Sequence, residues 1–217
     1  MVNESQLVEV IKQAKESDKD RKFKQSVEMI IVFKDVDVKK GFAINETVQL
    51  PKKSTKLASV CIMASGDMGV KAKNAKADMV LDESQLTKLS ADKKKSKKFI
   101  DEYDFFLADT KLMPAVGKKL GQLLGPRGKM PTPVPFNAPI ESFLERFRSS
   151  VKIRAKGSLS MSCKIGEENM DDADLAANAN AVATAIEKTL PNGSKNIEKI
   201  MFKTTMGKAI KVGQVTK

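Results

Sequence analysis

The chain has 217 residues, enough for one large domain or two modest ones with real hydrophobic cores. Its 39 basic and 27 acidic side chains give a formal net charge of +12, which favours polyanionic partners. Histidine is absent, which removes the commonest general base and the commonest metal ligand. Aromatic residues make up only 5% of the chain, so base stacking cannot be its main way of binding a nucleic acid.

The two cysteines, Cys61 and Cys163, stand far apart, and neither belongs to a C-x-x-C pair. This spacing indicates neither a zinc site nor a redox pair, so we predict two reduced thiols, no metal and no cofactor. No apolar run approaches the roughly 18 residues that span a bilayer, and the N-terminus lacks a signal-peptide core. The pattern therefore predicts a soluble, cytoplasmic protein without a membrane partner.

The first elements suit an α+β domain. The segment SQLVEVIKQAKE places its apolar residues on one helical stripe, with Asn3 as a candidate N-cap. In SVEMIIVFKDVDV, apolar residues alternate as in a strand, and Ile30 and Val32 make its middle apolar on both faces. The alternating core row is Val27, Met29, Ile31 and Phe33. The segment TVQL is predicted as a second strand, and PKKSTK as a linker.

Strands and helices alternate in the middle of the chain. The apolar segments LASVCIMAS, ADMVL and DFFLAD are separated by helical stretches around residues 85–89, 92–102 and 111–120, and PIESFLERF is a further helix. This order is typical of an open parallel α/β layer. Gly66 to Gly69 matches only half of a dinucleotide-binding fingerprint, and we predict a strand-to-helix turn there.

The β signals return near residue 151. VKIRAKGSLSMSCKIG predicts two strands joined near Gly157, and a long helix follows with Asp171 as its candidate cap. NIEKIMFKTTMGKAIKV predicts two strands broken at Gly207. The terminal segments 1–56 and 151–217 therefore predict one discontinuous α+β domain, into which an α/β domain of residues 57–150 is inserted.

Basic residues cluster in three places. Residues 110–140 contain no acid, residues 189–217 carry six lysines against Glu198, and Lys93 to Lys98 forms a run of five lysines on a predicted helix. Each cluster alone is typical of a solvated surface. Together with the net charge, the three clusters indicate a footprint for a phosphate backbone.

The string LLGPRGKMPTPVP is the densest turn sequence, with a GxxG element at Gly125 to Gly128. It fails as a phosphate-binding P-loop, because that motif would need glycine at Leu123 and a hydroxyl side chain at Met130. A GxxG loop can also clamp a nucleic-acid backbone, but two glycines are a weak signal. We keep Arg127, Gly128 and Lys129 as a candidate RNA- or tRNA-contacting loop.

The terminal domain offers a second set of candidates. Ser26 and Glu28 point away from the core row of their strand, and Thr204, Thr205, Met206 and Gly207 lie where another strand turns. Hydroxyls and a carboxylate of this kind can read a 2′-OH or a base amino group, while neighbouring cations hold phosphates. From pattern alone, ordinary strand-end residues would explain the set equally well. The candidate cations are Arg21, Lys22 and Lys203.

Three segments resemble the L-one family of large-subunit ribosomal proteins, in its archaeal form. They are RKFKQSVEM, KLMPAVGKKLGQLLGPRGKMPTPVP and KTTMGKAIKV, in the family's order and at its separations. The resemblance covers essentially the whole chain. It implies a split βαβ (ferredoxin-like) domain formed by both termini, with an inserted Rossmann-like three-layer α/β domain.

The resemblance also implies a function. Members of this family bind large-subunit rRNA at the mobile side stalk, beside the exit site for deacylated tRNA, and many repress their own mRNA. The implied partners are therefore rRNA, the chain's own mRNA and exit-site tRNA, for a protein that is monomeric when free. Ser26 stands where many members have threonine, and Lys208 where archaeal members often have proline. The RNA-recognition positions carried over are Lys22, Phe23, Ser26, Glu28, Thr205, Met206 and Gly207.

Two other functions remain open at this point. A free regulatory RNA-binding protein would use the GxxG loops and prefer single strands. A phosphate-handling α/β enzyme is disfavoured by the absence of histidine, by the failed P-loop and by the lack of a nucleophile–base pair. We therefore predict a protein that is not an enzyme.

Overall fold

The structure is a computed structural model that describes residues 4–17, 21–37, 42–136 and 138–213. Asn3, the predicted cap of the first helix, lies outside the described residues. The chain divides into two compact units, one of Met1–Lys56 with Ser149–Lys217 and one of Leu57–Arg148.

The helices and strands follow one another in a mixed order. In sequence they are α1 (Glu4–Glu16), β1 (Ser26–Phe33), β2 (Ala43–Gln49), β3 (Val60–Met63), α2 (Gly66–Asn74), β4 (Met79–Leu81), α3 (Glu83–Ala91), α4 (Lys93–Glu102), β5 (Phe105–Asp109), α5 (Met113–Arg127), β6 (Thr132–Val134), α6 (Ile140–Arg148), β7 (Ser150–Lys156), β8 (Ser160–Glu167), α7 (Asp172–Thr189), a 3-10 helix (Gly193–Asn196), β9 (Ile197–Thr204) and β10 (Ile210–Lys211).

The first unit is built on a four-stranded antiparallel sheet in the order β10-β9-β1-β8. Because β1 is antiparallel to both neighbours, β8 and β9 run parallel to each other on either side of it, and α7 connects them. This is the split βαβ arrangement that the family resemblance implied. Side chains of β1 alternate between half-buried and buried, as predicted, and the buried row packs with α1 and α7 in one core.

A separate two-stranded sheet pairs β2 with β7 in the same unit. The strand β2 begins four residues before the predicted TVQL. The prediction missed its first half because only Ile44 and Val48 are buried in this strand, so the segment has no clear alternating pattern. Strands β7 and β8 follow each other through Gly157, whose φ of +69° suits glycine. They pair with different partners, since β7 joins β2 and β8 joins β1.

The second unit is a three-layer α/β fold. Its four strands are all parallel, in the order β4-β3-β5-β6. One face of the sheet packs against α2 and α6, and the other against α3, α4 and α5. Every residue of β3 and β5 is buried, which explains why these strands read as continuous apolar runs.

Acidic caps begin two helices of the second unit. Asp82 accepts from the N–H of Gln85 in a capping box, and Asp92 accepts from the N–H groups of Lys94 and Lys95. These backbone hydrogen bonds lower the pKa of both carboxyl groups. In the first unit Asp171 occupies the N-cap position of α7 as predicted, but its side chain makes no capping hydrogen bond.

The predicted GxxG loop is largely a helix end. Helix α5 continues through Gly125, Pro126 and Arg127, beyond the predicted end near Leu120. Gly128 is its C-cap, with a φ of +69°, and its N–H donates to the carbonyls of the last turn. The prediction of a loop over residues 125–127 is therefore wrong. The helix runs through these residues and ends only at Gly128, which adopts the left-handed conformation.

Substitution at Gly166 tests the packing of β8 beneath α7. A Cβ at Gly166 would overlap the side chain of Leu175 and lie 2.8 Å from Sδ of Met170. We expect Gly166→Ala to lower the free energy of unfolding by about 1–3 kcal/mol, because the core is overpacked. Gly121→Ala is the matched control: a Cβ there meets nothing within 4 Å, and alanine favours the helix. Equal stability of the two variants in urea denaturation would contradict this packing.

Candidate nucleic-acid interface

The four-stranded sheet of the first unit has one face that no helix of the shared core covers. We call this the open face. Glu167, which pairs with Ser26 at the end of β8, is buried. The other side chains of the open face are half-buried or exposed. The open face consists of Ser26, Glu28, Ile30 and Val32 on β1, Ser160, Ser162, Lys164 and Glu167 on β8, Lys199, Met201 and Lys203 on β9, and Lys211 on β10.

Strand register sets the charge pattern of the open face. Glu28 stands directly between Lys164 and Lys203 on the neighbouring strands. Among the described residues Glu28 has no ion-pair partner, whereas Lys164 donates to Oε1 of Glu167 at 3.1 Å. Directly opposed side chains on neighbouring strands lie about 5 Å apart, so the Glu28 carboxylate has a lysine on either side of it. Such a surface can attract phosphates and accept one hydrogen bond from a ligand.

Glu167 anchors one of these lysines. Burial alone would raise the pKa of Glu167, but the hydrogen bond and charge of Lys164 and the N–H of Lys56 hold it below its usual value. The carboxylate is therefore ionised at neutral pH, and from the end of β8 it holds the Lys164 side chain three residues earlier in the strand.

A tight turn follows β9 at the edge where β1 begins. The hydroxyl of Thr205 accepts from the N–H of Ser26 at 3.1 Å and donates to the Ser26 carbonyl at 3.3 Å. The N–H of Met206 donates to Oε1 of Gln25 at 3.0 Å, and the N–H of Gly207 donates to the Thr204 carbonyl at 3.1 Å. Two residues of the turn, Thr205 and Met206, are thus tied to Ser26 and Gln25 at the start of β1.

Two large apolar side chains are exposed at this edge. Met206 is 59% exposed, and Phe23 is 52% exposed just before β1. The Met206 side chain stands on a backbone that is fixed by hydrogen bonds, so it can contact a partner with little further ordering. The edge thus combines apolar contact with the nearby charges of Lys22 and Lys203.

The structure brings most of the predicted set together, with one correction. Thr204 is only 1% exposed, because the alternation of β9 turns it toward the core, so its prediction as a surface contact is wrong. Thr205 does face the edge, but its hydroxyl is already used to hold Ser26. Ser26, Glu28 and Lys203 lie on the open face. Met206 and Gly207 lie in the turn after β9, and Lys22 and Phe23 are exposed in the segment before β1.

Sequence reasoning missed two kinds of residue at this site. Lys199 could have been found, because it lies four residues from Lys203 on one strand and must share its face. Lys164 follows in the same way from the alternation of β8. Gln25 gave no signal, since its burial and its bond to Met206 depend on a contact across 181 residues.

The residues of the predicted GPRG loop lie in the second unit. Arg127 pairs with Asp101 at 3.2 Å, and Gly128 caps α5. Lys129 donates from Nζ to the carbonyls of Ile100 at 2.9 Å and Tyr103 at 2.7 Å, at the C-terminal end of α4. These contacts give Lys129 a structural task, because a cation there satisfies carbonyls that α4 leaves without helical partners.

The described residues contain no group of three or more cysteine, aspartate or glutamate side chains placed to hold a metal ion. Burial, with a smaller contribution from nearby carboxylates, raises the pKa of both Cys61 and Cys163 to about 12. Both thiols are free and protonated at neutral pH. Within the same part of the chain, no helix has the length and apolar content to cross a membrane.

Replacement of Lys129 tests its structural role. We expect Lys129→Met to lower the free energy of unfolding by about 1–2 kcal/mol, because two charge-assisted hydrogen bonds to α4 are lost while the aliphatic stem is kept. Lys118→Met, on the exposed side of α5, is the control and should change stability by less than about 0.5 kcal/mol. If both variants unfold at the same urea concentration, Lys129 does not secure α4.

Comparison with known proteins adds to this geometry. The sequence model of the family described as "Ribosomal protein L1p/L10e family" matches residues 11–208. The chain is 68% identical over 211 residues to the large ribosomal subunit protein uL1 of Cenarchaeum symbiosum (strain A), with 97% of each chain covered. It is 48% identical over 217 residues to that of Thermofilum pendens, covering 99% of this chain and 96% of the relative.

A third relative, from Methanobrevibacter smithii, is 39% identical over 208 residues and covers 95% of this chain and 98% of its own. These matches confirm the resemblance inferred from the three segments, including its archaeal character. They also confirm the prediction of a ribosomal protein rather than an enzyme. Because the family's sequence model matches most of this chain, residues 11–208, the chain belongs to the Ribosomal protein L1p/L10e family.

Proposed function

We propose that the chain is a structural component of the large ribosomal subunit and binds rRNA of the mobile side stalk. The binding surface is the open face of the first unit together with the edge at Phe23 and Met206. In this proposal residues 1–56 and 151–217 form the RNA-binding domain, and residues 57–150 form the inserted domain. The relatives named above are large-subunit proteins, which supports an assignment to the cytoplasmic ribosome.

One observation carries the proposal: the turn at Met206 is fixed by hydrogen bonds while its side chain stays exposed. Thr205 and Gln25 hold the backbone, so the turn needs little ordering when a ligand binds. Phe23 and Met206 can then pack against the shallow minor groove or the sugars of a folded RNA. The lysines of the open face neutralise phosphates, and Glu28 accepts from a 2′-OH or a base amino group.

We propose two finer activities as well. A site that reads one RNA shape also binds an mRNA segment that copies that shape, so we propose that the chain represses translation of its own mRNA. A protein on the mobile stalk is also placed to aid release of deacylated tRNA from the exit site. Both activities are proposed for a chain that is monomeric when free. Competition between the stalk rRNA fragment and the mRNA leader for one binding site would test the repression.

The alternative of a free regulatory protein that uses its GxxG loops loses its structural basis. Residues 125–128 form a helix end and its cap rather than an open clamp. The proposal therefore rests on the first unit, and the side chains of the GPRG segment serve the second unit's own packing.

Met206→Asp tests the interface directly. A carboxylate in a desolvated contact with RNA is left unpaired, so we expect the Kd for a transcribed side-stalk fragment to rise by about 100-fold or more. Lys95→Ala, which removes one exposed cation of the second unit, should change the Kd by less than about threefold. Filter binding with the fragment and a scrambled RNA, at several salt concentrations, measures both. Similar losses in the two variants would contradict an interface at Met206.

Gln25→Met tests whether the turn at Met206 must be fixed by hydrogen bonds before RNA binds. Methionine keeps the length of the side chain but cannot replace the acceptor of the Met206 N–H. We expect the Kd for the stalk fragment to rise about tenfold, and the Met206 amide to exchange faster with solvent. Gln25→Glu keeps an acceptor oxygen and should preserve amide protection. A freely exchanging Met206 amide together with unchanged RNA affinity would show that preorganisation is not needed.

A further inference from the structure

Helix α4 of the second unit carries five exposed lysines that the stalk-rRNA proposal does not use. At 3.6 residues per turn they spread over an arc of about 200° on one side of the helix. The opposite side carries buried Ser96 and Ile100. We call the exposed side the α4 lysine face; it consists of Lys93, Lys94, Lys95, Lys97 and Lys98.

The α4 lysine face is held on a rigid base. The Ser96 hydroxyl donates to the Leu89 carbonyl at 2.6 Å and contacts the Asp92 carbonyl at 3.0 Å, which fixes the junction between α3 and α4. On the same inner side, the ring of Phe99 lies 4.9 Å from that of Tyr103 and 6.3 Å from that of Phe106, centroid to centroid. The apolar side of α4 is thus fully engaged in the core of its own unit.

The order of charges along α4 opposes the stability of the helix. All five lysines lie among its first six residues, toward the positive end of the helix dipole, while Asp101 and Glu102 lie at the negative end. The lysines also repel one another at spacings of three and four residues. Of the five, only Lys95 has an ion pair in the described structure, a 3.7 Å contact with the cap residue Asp92. Helix stability therefore does not explain this arrangement.

The neighbouring helices extend the positive charge rather than cancel it. Lys88 on α3 and Lys118 on α5 are exposed, and these helices pack beside α4 in the same layer. Lys119 of α5 reaches across to the hydroxyl of Thr87 on α3 at 2.7 Å. Of the two acids at the end of α4, Asp101 is paired with Arg127.

We propose that the α4 lysine face is a second RNA-binding surface, which takes the phosphate backbone of a double-helical RNA. The chain belongs to a ribosomal family, so RNA is the polyanion that it meets. The face exposes no aromatic ring on which single-stranded bases could stack. Lysines are depleted from the centres of protein–protein interfaces, which disfavours a protein partner. The inference goes beyond the stalk-rRNA site and does not depend on it.

The test uses the full chain and three variants. K93Q/K94Q/K97Q removes three charges from the α4 lysine face. K73Q/K188Q/K195Q removes the same charge from three exposed and scattered positions. Met206→Asp disables the proposed stalk-rRNA site. The probes are a mixed-sequence RNA duplex of roughly 16 base pairs and the side-stalk fragment, each titrated at several salt concentrations.

For K93Q/K94Q/K97Q we expect duplex affinity to fall at least about tenfold, and the log–log salt slope to shrink by about two to three units. Its affinity for the stalk fragment should stay within about twofold, and its thermal midpoint should be unchanged or higher, because repulsion at the helix start is relieved. The scattered variant and Met206→Asp should bind the duplex within about threefold of the original chain.

Four outcomes would overturn the inference. The original chain does not bind the duplex, or the two triple variants lose affinity equally, which would assign binding to net charge alone. Duplex binding is lost in Met206→Asp but kept in K93Q/K94Q/K97Q, which would place the duplex on the open face. K93Q/K94Q/K97Q unfolds at a lower temperature, which would mean that these lysines serve the fold. If stalk-fragment binding fails for every chain while the duplex result holds, the function proposed for the open face fails and the α4 surface stands.

Discussion

The insertion of β1 between β8 and β9 is the constraint on which the first unit depends. It pairs Ser26 with Glu167 and Val27 with Thr204, so one N-terminal strand joins two strands near the other end of the chain. Closing such long loops costs entropy that local contacts cannot offset, so the sheet forms only when its apolar row is buried. The same pairing places Gln25 beside Met206 and so builds the edge at which we propose that RNA binds. The buried face of this sheet forms the core of the unit, and its other face forms the proposed interface.

Electrostatics divides the basic surface into two physical kinds. At the open face, lysines flank Glu28, which has no ion pair in the part of the chain that the structure describes, beside a turn that is fixed by hydrogen bonds. Such a surface can select a shape. On α4, exposed lysines without aromatic or apolar neighbours give attraction that is strongly screened by salt and indifferent to sequence. The two proposed surfaces have different roles. Shape recognition by the open face would fix the position of the protein on RNA, and phosphate contacts of the α4 lysine face would strengthen binding there.

The GPRG segment shows how tertiary context overrides turn chemistry. Gly125 and Pro126 disfavour a helix, yet α5 continues through them because Leu120 and Leu124 are buried against the sheet. The left-handed conformation that Gly128 allows then ends the helix, and Lys129 reaches the last carbonyls of α4. The basic residues of this segment therefore complete a fold, although in sequence they resemble a phosphate-binding loop.

The sequence by itself determined the fold class, most elements and the side-chain alternation of β1, because hydrophobic periodicity reports burial directly. It also identified the family and, through it, the positions that gather at the open face. Only the tertiary structure decided that the Thr205 hydroxyl bonds to Ser26 and that Gln25 holds the Met206 N–H. These facts depend on strand register and on contacts between residues nearly 180 positions apart, and no local pattern encodes either.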